Sequence, residues 1–159
     1  MPIGIALGSN LGESKMILKK SIEELLTIHN GAPETFLRSS FYKTAPLDCP
    51  LGSPPFLNAA IQLETQLSPY EVLVFLQAME LQAGRPNKRD FHAPRTLDLD
   101  LLYYNSITIV SPQLVLPHPR IQHRFFVLKP LVDINPDLIL PGWEKTAASY
   151  LELLETTDI

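Results

Sequence analysis

Residues Arg95 to Tyr104 read Arg-Thr-Leu-Asp-Leu-Asp-Leu-Leu-Tyr-Tyr, which sets Asp98 and Asp100 two positions apart. In an extended strand, residues i and i+2 point to the same face. Both carboxylates then project together, with Leu97, Leu99 and Leu101 directed at a core behind them. Two like charges about 4 Å apart repel by roughly 4 kcal/mol at an effective dielectric of about 20. A divalent cation turns that penalty into an attraction, because hard oxygen ligands suit Mg²⁺. Arg95 opens the segment, and the polar, cationic stretch from Arg85 to Pro94 precedes it. Carboxylates for a metal beside cations for phosphate are the parts of a phosphoryl-transfer site. An isolated Asp-x-Asp is more often the wet face of an antiparallel strand. Two features oppose that here: Asp is depleted in strands, and Leu102 and Tyr104 continue the carboxylate face with apolar bulk.

The elements that must position this pair fit one domain. The chain has 159 residues, 45% of them hydrophobic, enough for a sizeable core. Its net charge of −4 provides no global field for nucleic acid or anionic membrane, so any phosphate affinity is local. Cys49 is the single cysteine, which excludes an internal disulfide and fits a reducing, cytoplasmic setting. No apolar run approaches a membrane span, and the start Met1-Pro2-Ile3-Gly4 lacks the features of a signal peptide.

Ile3 to Leu7 reads as a buried strand and Ser14 to Ile28 as a helix, with Asn30-Gly31 as its left-handed stop. Thr35 to Lys43 is expected as a second strand, and residues 44–55 as a loop stiffened by Pro46, Pro50, Pro54 and Pro55. Asn58 to Gln66 alternates as a third strand. Ser68-Pro69-Tyr70-Glu71 is a helix start with a capping box, and Gly84 a plausible end. With the Asp-x-Asp strand the order is β-α-β-β-α-β, the ferredoxin-like signature. A turn at Asn105-Ser106, a strand at 107–110, a helix over 120–132 and another over 146–154 complete an α+β fold. Residues 1–159 read as one domain.

Several segments together resemble the 6-hydroxymethyl-7,8-dihydropterin pyrophosphokinase family of folate biosynthesis. They are Leu7-Gly8-Ser9-Asn10-Leu11-Gly12, Ser40-Phe41-Tyr42-Lys43-Thr44-Ala45-Pro46-Leu47, Phe56-Leu57-Asn58-Ala59-Ala60, Glu80-Leu81-Gln82-Ala83-Gly84-Arg85, Ala93-Pro94-Arg95-Thr96-Leu97-Asp98-Leu99-Asp100, Leu116-Pro117-His118-Pro119-Arg120 and Arg124-Phe125-Phe126-Val127-Leu128. The resemblance implies a Mg²⁺-dependent transferase that moves pyrophosphate from ATP to the pterin's hydroxymethyl oxygen and releases AMP. It implies that Asp98 and Asp100 hold two Mg²⁺ ions and that Arg85 and Arg95 contact phosphates as catalytic residues. Gln77, Glu80, His118 and Arg124 are implied as further contacts to ATP. Phe56 and Phe126 are implied to sandwich the pterin, with Asn58, Thr44, Pro46 and Leu47 reading its edge. Tyr42 and Ser9 are read as structural. Asn87, His92 and Pro119 stand where some members carry Arg, Trp and Tyr.

Two other classes compete. The same element order builds RNA-recognition modules, but these display aromatics and bases on the sheet, where this chain displays two aspartates. A non-catalytic pterin or nucleotide binder would not need the Asp98–Asp100 pair. The chain also lacks the Gly-x-x-x-x-Gly-Lys-Ser/Thr phosphate loop of common NTPases. The expected partners are two small substrates, ATP and the pterin, with no nucleic acid, membrane or obligate protein partner.

Overall fold

A computed structural model of the chain describes residues 2–10, 13–44, 56–84 and 97–156. Strand β1 (Pro2–Ser9) has two unlike faces. Ile3, Ile5 and Leu7 are buried on one face, and alternation sends Gly4, Ala6 and Gly8 to the other. β1 is flanked by β4 (Phe56–Glu64) and β5 (Asp98–Tyr104), and β2 (Leu37–Arg38) and β3 (Tyr42–Thr44) both pair with β4. The order is β2–β4–β1–β5, with every pairing antiparallel.

Helices α1 (Ser14–Leu26) and α2 (Pro69–Gln82) cover the large-residue face. Leu18, Ile22 and Leu25 from α1, with Val72, Leu76 and Met79 from α2, close over Ile5, Leu7, Ile61, Leu99 and Leu101. Helices α3 (Phe125–Ile134) and α4 (Ala147–Thr156) cover the small-residue face. There Leu128, Leu131, Trp143 and Leu151 pack with Ala60, Leu102 and Tyr103. Each face of the antiparallel sheet thus has its own core, as an α+β domain requires. A two-stranded ribbon, β6 (Ile109–Val110) and β7 (Val115–Leu116), lies outside the main sheet. Among the described residues, no helix is long and apolar enough to cross a membrane.

The helix start at Ser68 is as expected. Its hydroxyl accepts the Glu71 N–H at 3.3 Å, and the Glu71 carboxylate accepts the Ser68 N–H at 3.0 Å. Gly84 has φ 85° and Asn105 φ 51°, the left-handed geometry that ends a helix and turns a strand. Other expectations are corrected. The first helix stops at Leu26, and neither Asn30 nor Gly31 has positive φ. Gly31 instead sits close to side chains, where a Cβ would stand 2.5 Å from a Glu64 carboxylate oxygen and displace it. The expected second strand is a 3₁₀ turn (Pro33–Thr35) followed by the separate β2 and β3. Ser39 divides β2 from β3: its hydroxyl accepts the Ala60 N–H at 2.8 Å and interrupts the ladder with β4. The expected helix over 120–132 is a 3₁₀ turn (Ile121–His123) and then α3, separated by an extended Arg124 with φ −116° and ψ 106°.

The most consequential correction falls on the Asp-x-Asp strand. Tyr104 is not on the carboxylate face. The β1–β5 register shifts between Gly4 and Ile5, so that Leu101 faces Ile5, Tyr103 faces Gly4, and Leu102 is the extra residue of a bulge. Beyond it Tyr104 joins the α1–α2 core and Tyr103 the α3–α4 core. Gly4 makes the Tyr103 position possible, since a Cβ at Gly4 would stand 2.2 Å from a ring carbon. The Tyr103 hydroxyl donates to the Gln62 side chain, which also accepts from Asn135 Nδ2 at 3.1 Å. Gly4→Ala is therefore expected to lower stability by about 1–3 kcal/mol, the range for overpacking a well-filled core. Urea denaturation of the two proteins checks this.

Candidate active site

Antiparallel pairing sets Asp98 opposite Gly8 and Asp100 opposite Ala6. With no side chain at one position and a methyl at the other, the sheet beside both carboxylates is bare. α3 approaches from above, and the space between is a cleft of about 510 Å³. Its floor is Ala6, Leu7 and Gly8; one side carries Asp98 and Asp100, the other Thr44, Phe56 and Asn58. The N-terminal end of α3 closes it with Arg124, Phe125, Phe126 and Val127. Seven of the residues expected at a site therefore line one cleft: Thr44, Phe56, Asn58, Asp98, Asp100, Arg124 and Phe126.

The side away from the carboxylates suits a flat, hydrogen-bonding ring. Asn58 is 5% exposed, and its Nδ2 donates to Thr44 Oγ1 at 2.8 Å. That bond fixes the amide's orientation and leaves a second N–H and the carbonyl oxygen for other use. Gly8 leaves it room, because a Cβ there would lie 3.2 Å from Asn58 Oδ1 and the amide would have to shift slightly. Phe126 and Phe125 are 39% and 44% exposed, unusual for large aromatics unless they form a binding surface. Phe56 faces the cleft from β4.

α3 is docked against this wall through its polar side chains. Asp133 accepts the Ser40 N–H at 3.0 Å and the Tyr42 hydroxyl. Burial, with the Asp133 bond and charge, pushes the Tyr42 phenol up to about 12. Lys129 Nζ sits 5.9 Å from the centre of the Tyr42 ring. Tyr42 is structural, as expected, and its structure is the joint between the aromatic helix and the strand carrying Thr44. The Ser9 hydroxyl donates to Ser14 at 3.3 Å, which is structural too.

The charged end is arranged around β5. His118 follows a cis Leu116–Pro117 bond and donates its backbone N–H to Leu102 O at 2.8 Å. Its Nδ1 accepts the Arg120 N–H at 3.2 Å, which puts the proton of the neutral ring on Nε2. Burial lowers the His118 pKa; the Asp100 charge opposes this, and Arg124 and Arg120 reinforce it. Asp100, His118 and Arg124 are thus electrostatically coupled neighbours. The Arg124 guanidinium lies 5.7 Å from the centre of the Phe126 ring, linking the charged and aromatic ends.

Two of the expected nucleotide contacts sit elsewhere. α2 lies on the opposite face of the sheet from α3, with Gln77 exposed on it. Glu80 is buried and its Oε2 accepts the Leu99 N–H at 2.9 Å. Arg85, Arg95, Pro46 and Leu47 lie outside the described residues, as do Cys49, Asn87 and His92. Cleft residues that sequence reasoning passed over are Ala6, Gly8, Phe125 and Val127. The alternation of small residues at Gly4, Ala6 and Gly8 against Ile3, Ile5 and Leu7 was the available signal. Among the described residues, no group of three or more His, Cys, Asp or Glu side chains could hold a metal. A carboxylate pair is nonetheless a fitting donor set for Mg²⁺, which commonly takes one or two carboxylates and fills its octahedron with water and substrate phosphate.

Residues 4–136 match the family model described as 7,8-dihydro-6-hydroxymethylpterin-pyrophosphokinase (HPPK). The chain is 43% identical over 140 residues to the 2-amino-4-hydroxy-6-hydroxymethyldihydropteridine pyrophosphokinase of Pseudomonas aeruginosa, covering 86% of this chain and 82% of that protein. It is 40% identical over 131 residues to the protein of that name from Bacillus subtilis, covering 82% and 75%. It is 37% identical over 155 residues to the folic acid synthesis protein fol1 of Pneumocystis carinii, covering 98% of this chain but 20% of that protein. A crystal structure of wild-type Plasmodium falciparum HPPK-DHPS shares the fold with a TM-score of 0.73 at 14% identity, over 99% of this chain and 42% of that one.

The His118 environment makes a pH prediction. Because its folded-state pKa is lowered, the unfolded chain takes up this proton first as pH falls below about 6.5. Folding then excludes a proton, so stability declines with acidification through that range. His118→Gln is expected to lose stability less steeply between about pH 7.5 and 5, as measured by urea denaturation of both proteins across the range.

Proposed function

The chain belongs to the 7,8-dihydro-6-hydroxymethylpterin-pyrophosphokinase family, and from that premise we propose how its cleft carries the reaction. The enzyme transfers the pyrophosphoryl group of ATP to the hydroxymethyl group of 6-hydroxymethyl-7,8-dihydropterin in folate synthesis. The hydroxymethyl oxygen bonds to the β-phosphorus, the bond from that phosphorus to the α-phosphate oxygen breaks, AMP leaves, and the hydroxyl proton is released. The observation that carries the site reading is the shared cleft: a carboxylate pair at one end and an aromatic, amide-bearing wall at the other.

Asp98 and Asp100 would hold Mg²⁺. When bound, Mg²⁺ supplies charge neutralisation on the phosphate oxygens and a template that orients the acceptor. Asp100 takes the proton that the acceptor loses. Arg124, which lines the cleft, and His118, beside Asp100, contact the nucleotide, with Arg85 and Arg95 gripping phosphate from the segment between α2 and β5. The pterin stacks between Phe56 and Phe126, and its edge is read by Asn58 and by the segment of Thr44, Pro46 and Leu47. Thr44 holds the Asn58 amide in one orientation, so the pterin meets a preset donor and acceptor. We also read the sheet as ferredoxin-like, supported by the order β2–β4–β1–β5, and the whole chain as one catalytic domain.

Incubation with Mg²⁺-ATP and the pterin is expected to yield AMP and the pyrophosphorylated pterin. ADP as the nucleotide product would overturn the reading. Asp98→Ala is expected to retain the fold and lose activity by roughly 10²–10³-fold, the scale of losing one preorganised electrostatic group. Full Mg²⁺-dependent turnover in that variant would remove Asp98 from the metal site. Gly8→Ala is expected to raise the pterin KM severalfold with little change in the KM for ATP, by crowding the Asn58 carbonyl.

A further inference from the structure

We infer that Glu80 is a positioning residue for the Asp98–Asp100 pair, acting through the Leu99 amide rather than as a nucleotide contact. The inference rests on the metal role proposed for that pair. Among the described residues, β5 ends the order β2–β4–β1–β5, with one of its edges paired within the sheet. In an antiparallel ladder, alternate residues turn their backbone groups to opposite edges. The Leu99 N–H faces away from β1 and would be a buried orphan donor. Glu80, 5% exposed on α2, receives it at 2.9 Å. Charge-assisted bonds of this kind are short and directional.

The bond falls between the two carboxylates. Rotation of either peptide flanking Leu99 would swing Asp98 against Asp100 and change the separation of their oxygens. On the β1 side the ladder stays regular only as far as Leu101, because the bulge at Leu102 breaks its register. Among the described residues, Glu80 anchors the Leu99 amide on the outer side, three positions before the His118 N–H meets Leu102 O. It reaches across from the α1–α2 layer, so its carboxylate acts on the cleft through the strand and from behind it. A hydrogen bond that orients the segment bearing metal ligands is a frequent determinant of metal affinity.

The test compares the full-length protein with Glu80→Leu, which removes the acceptor, and Glu80→Gln, which keeps a carbonyl acceptor without the charge. Far-UV circular dichroism and urea midpoints establish that each is folded. Amide exchange at Leu99 is read by NMR, and Mn²⁺ binding in the presence of ATP by electron paramagnetic resonance. Glu80→Leu is expected to accelerate Leu99 exchange and weaken Mn²⁺ binding by about 10–100-fold, with the pterin KM little changed. Glu80→Gln is expected to recover most of both. Faster Leu99 exchange with unaltered Mn²⁺ affinity would overturn the positioning role and leave the metal assignment standing. Equal loss in Glu80→Gln and Glu80→Leu would overturn it in favour of direct contact by the Glu80 charge. Absence of Mn²⁺ binding in the unaltered protein would take down the metal assignment and this inference with it.

Discussion

The pairing of β1 with β5 is the constraint on which the rest depends. Gly8 faces Asp98 and Ala6 faces Asp100, so the carboxylates border a patch of sheet with almost no side chain on it. The same two strands press Ile5 and Leu7 against Leu99 and Leu101 on the reverse face. A slip of one residue would send the leucines into the cleft and the aspartates into a dry core. Burial of an ionised carboxylate without partners is costly enough that the register is fixed from both sides. The core that makes the protein stable and the cleft on its other side are thus one interaction seen from two faces.

The cleft persists because the second core does not extend over it. Tyr103, Leu128, Leu131 and Trp143 fill the far half of that face, and Gly4 accepts the Tyr103 ring. The bulge at Leu102 marks the boundary. Before it, β5 turns its carboxylates to the cleft; after it, the strand presents an aromatic ring to a packed interior. α3 bridges the two regions, its later turns in the core and its first turn at the cleft. Asp133 and Lys129 fix the helix on Tyr42 and Ser40, so Phe126 is held at a set distance from Thr44 and Asn58.

The electrostatics divide by depth. Burial and the neighbouring guanidinium groups lower the His118 pKa, although the Asp100 charge pulls the other way. Members of the family occur as proteins of about this size and, as in the Pneumocystis carinii and Plasmodium falciparum proteins, as parts of much longer chains. The arrangement described here is carried within the sheet and its four helices.

The sequence by itself determined the parts whose signal is local. Alternation placed Asp98 and Asp100 on one face and three leucines on the other. Ser68, Pro69 and Glu71 specified a helix start, because capping involves residues three apart. The family motifs named Thr44, Asn58, Phe56, Phe126 and Arg124, and these do meet in one cleft. Tertiary structure alone decided the rest. The alternation of β5 is uninterrupted as written, and only its fit against Gly4 and Ile5 produces the bulge that exchanges Tyr103 and Tyr104. Ser39 breaks a strand because Ala60 offers its N–H there. Glu80 meets Leu99 across 19 positions of chain, at an edge whose unpaired donor exists only once β5 has taken its place in the sheet. Periodicity reports which face a residue prefers; which groups stand opposite it depends on strand partners distant in sequence, and the demand that every buried donor be met settles that only in three dimensions.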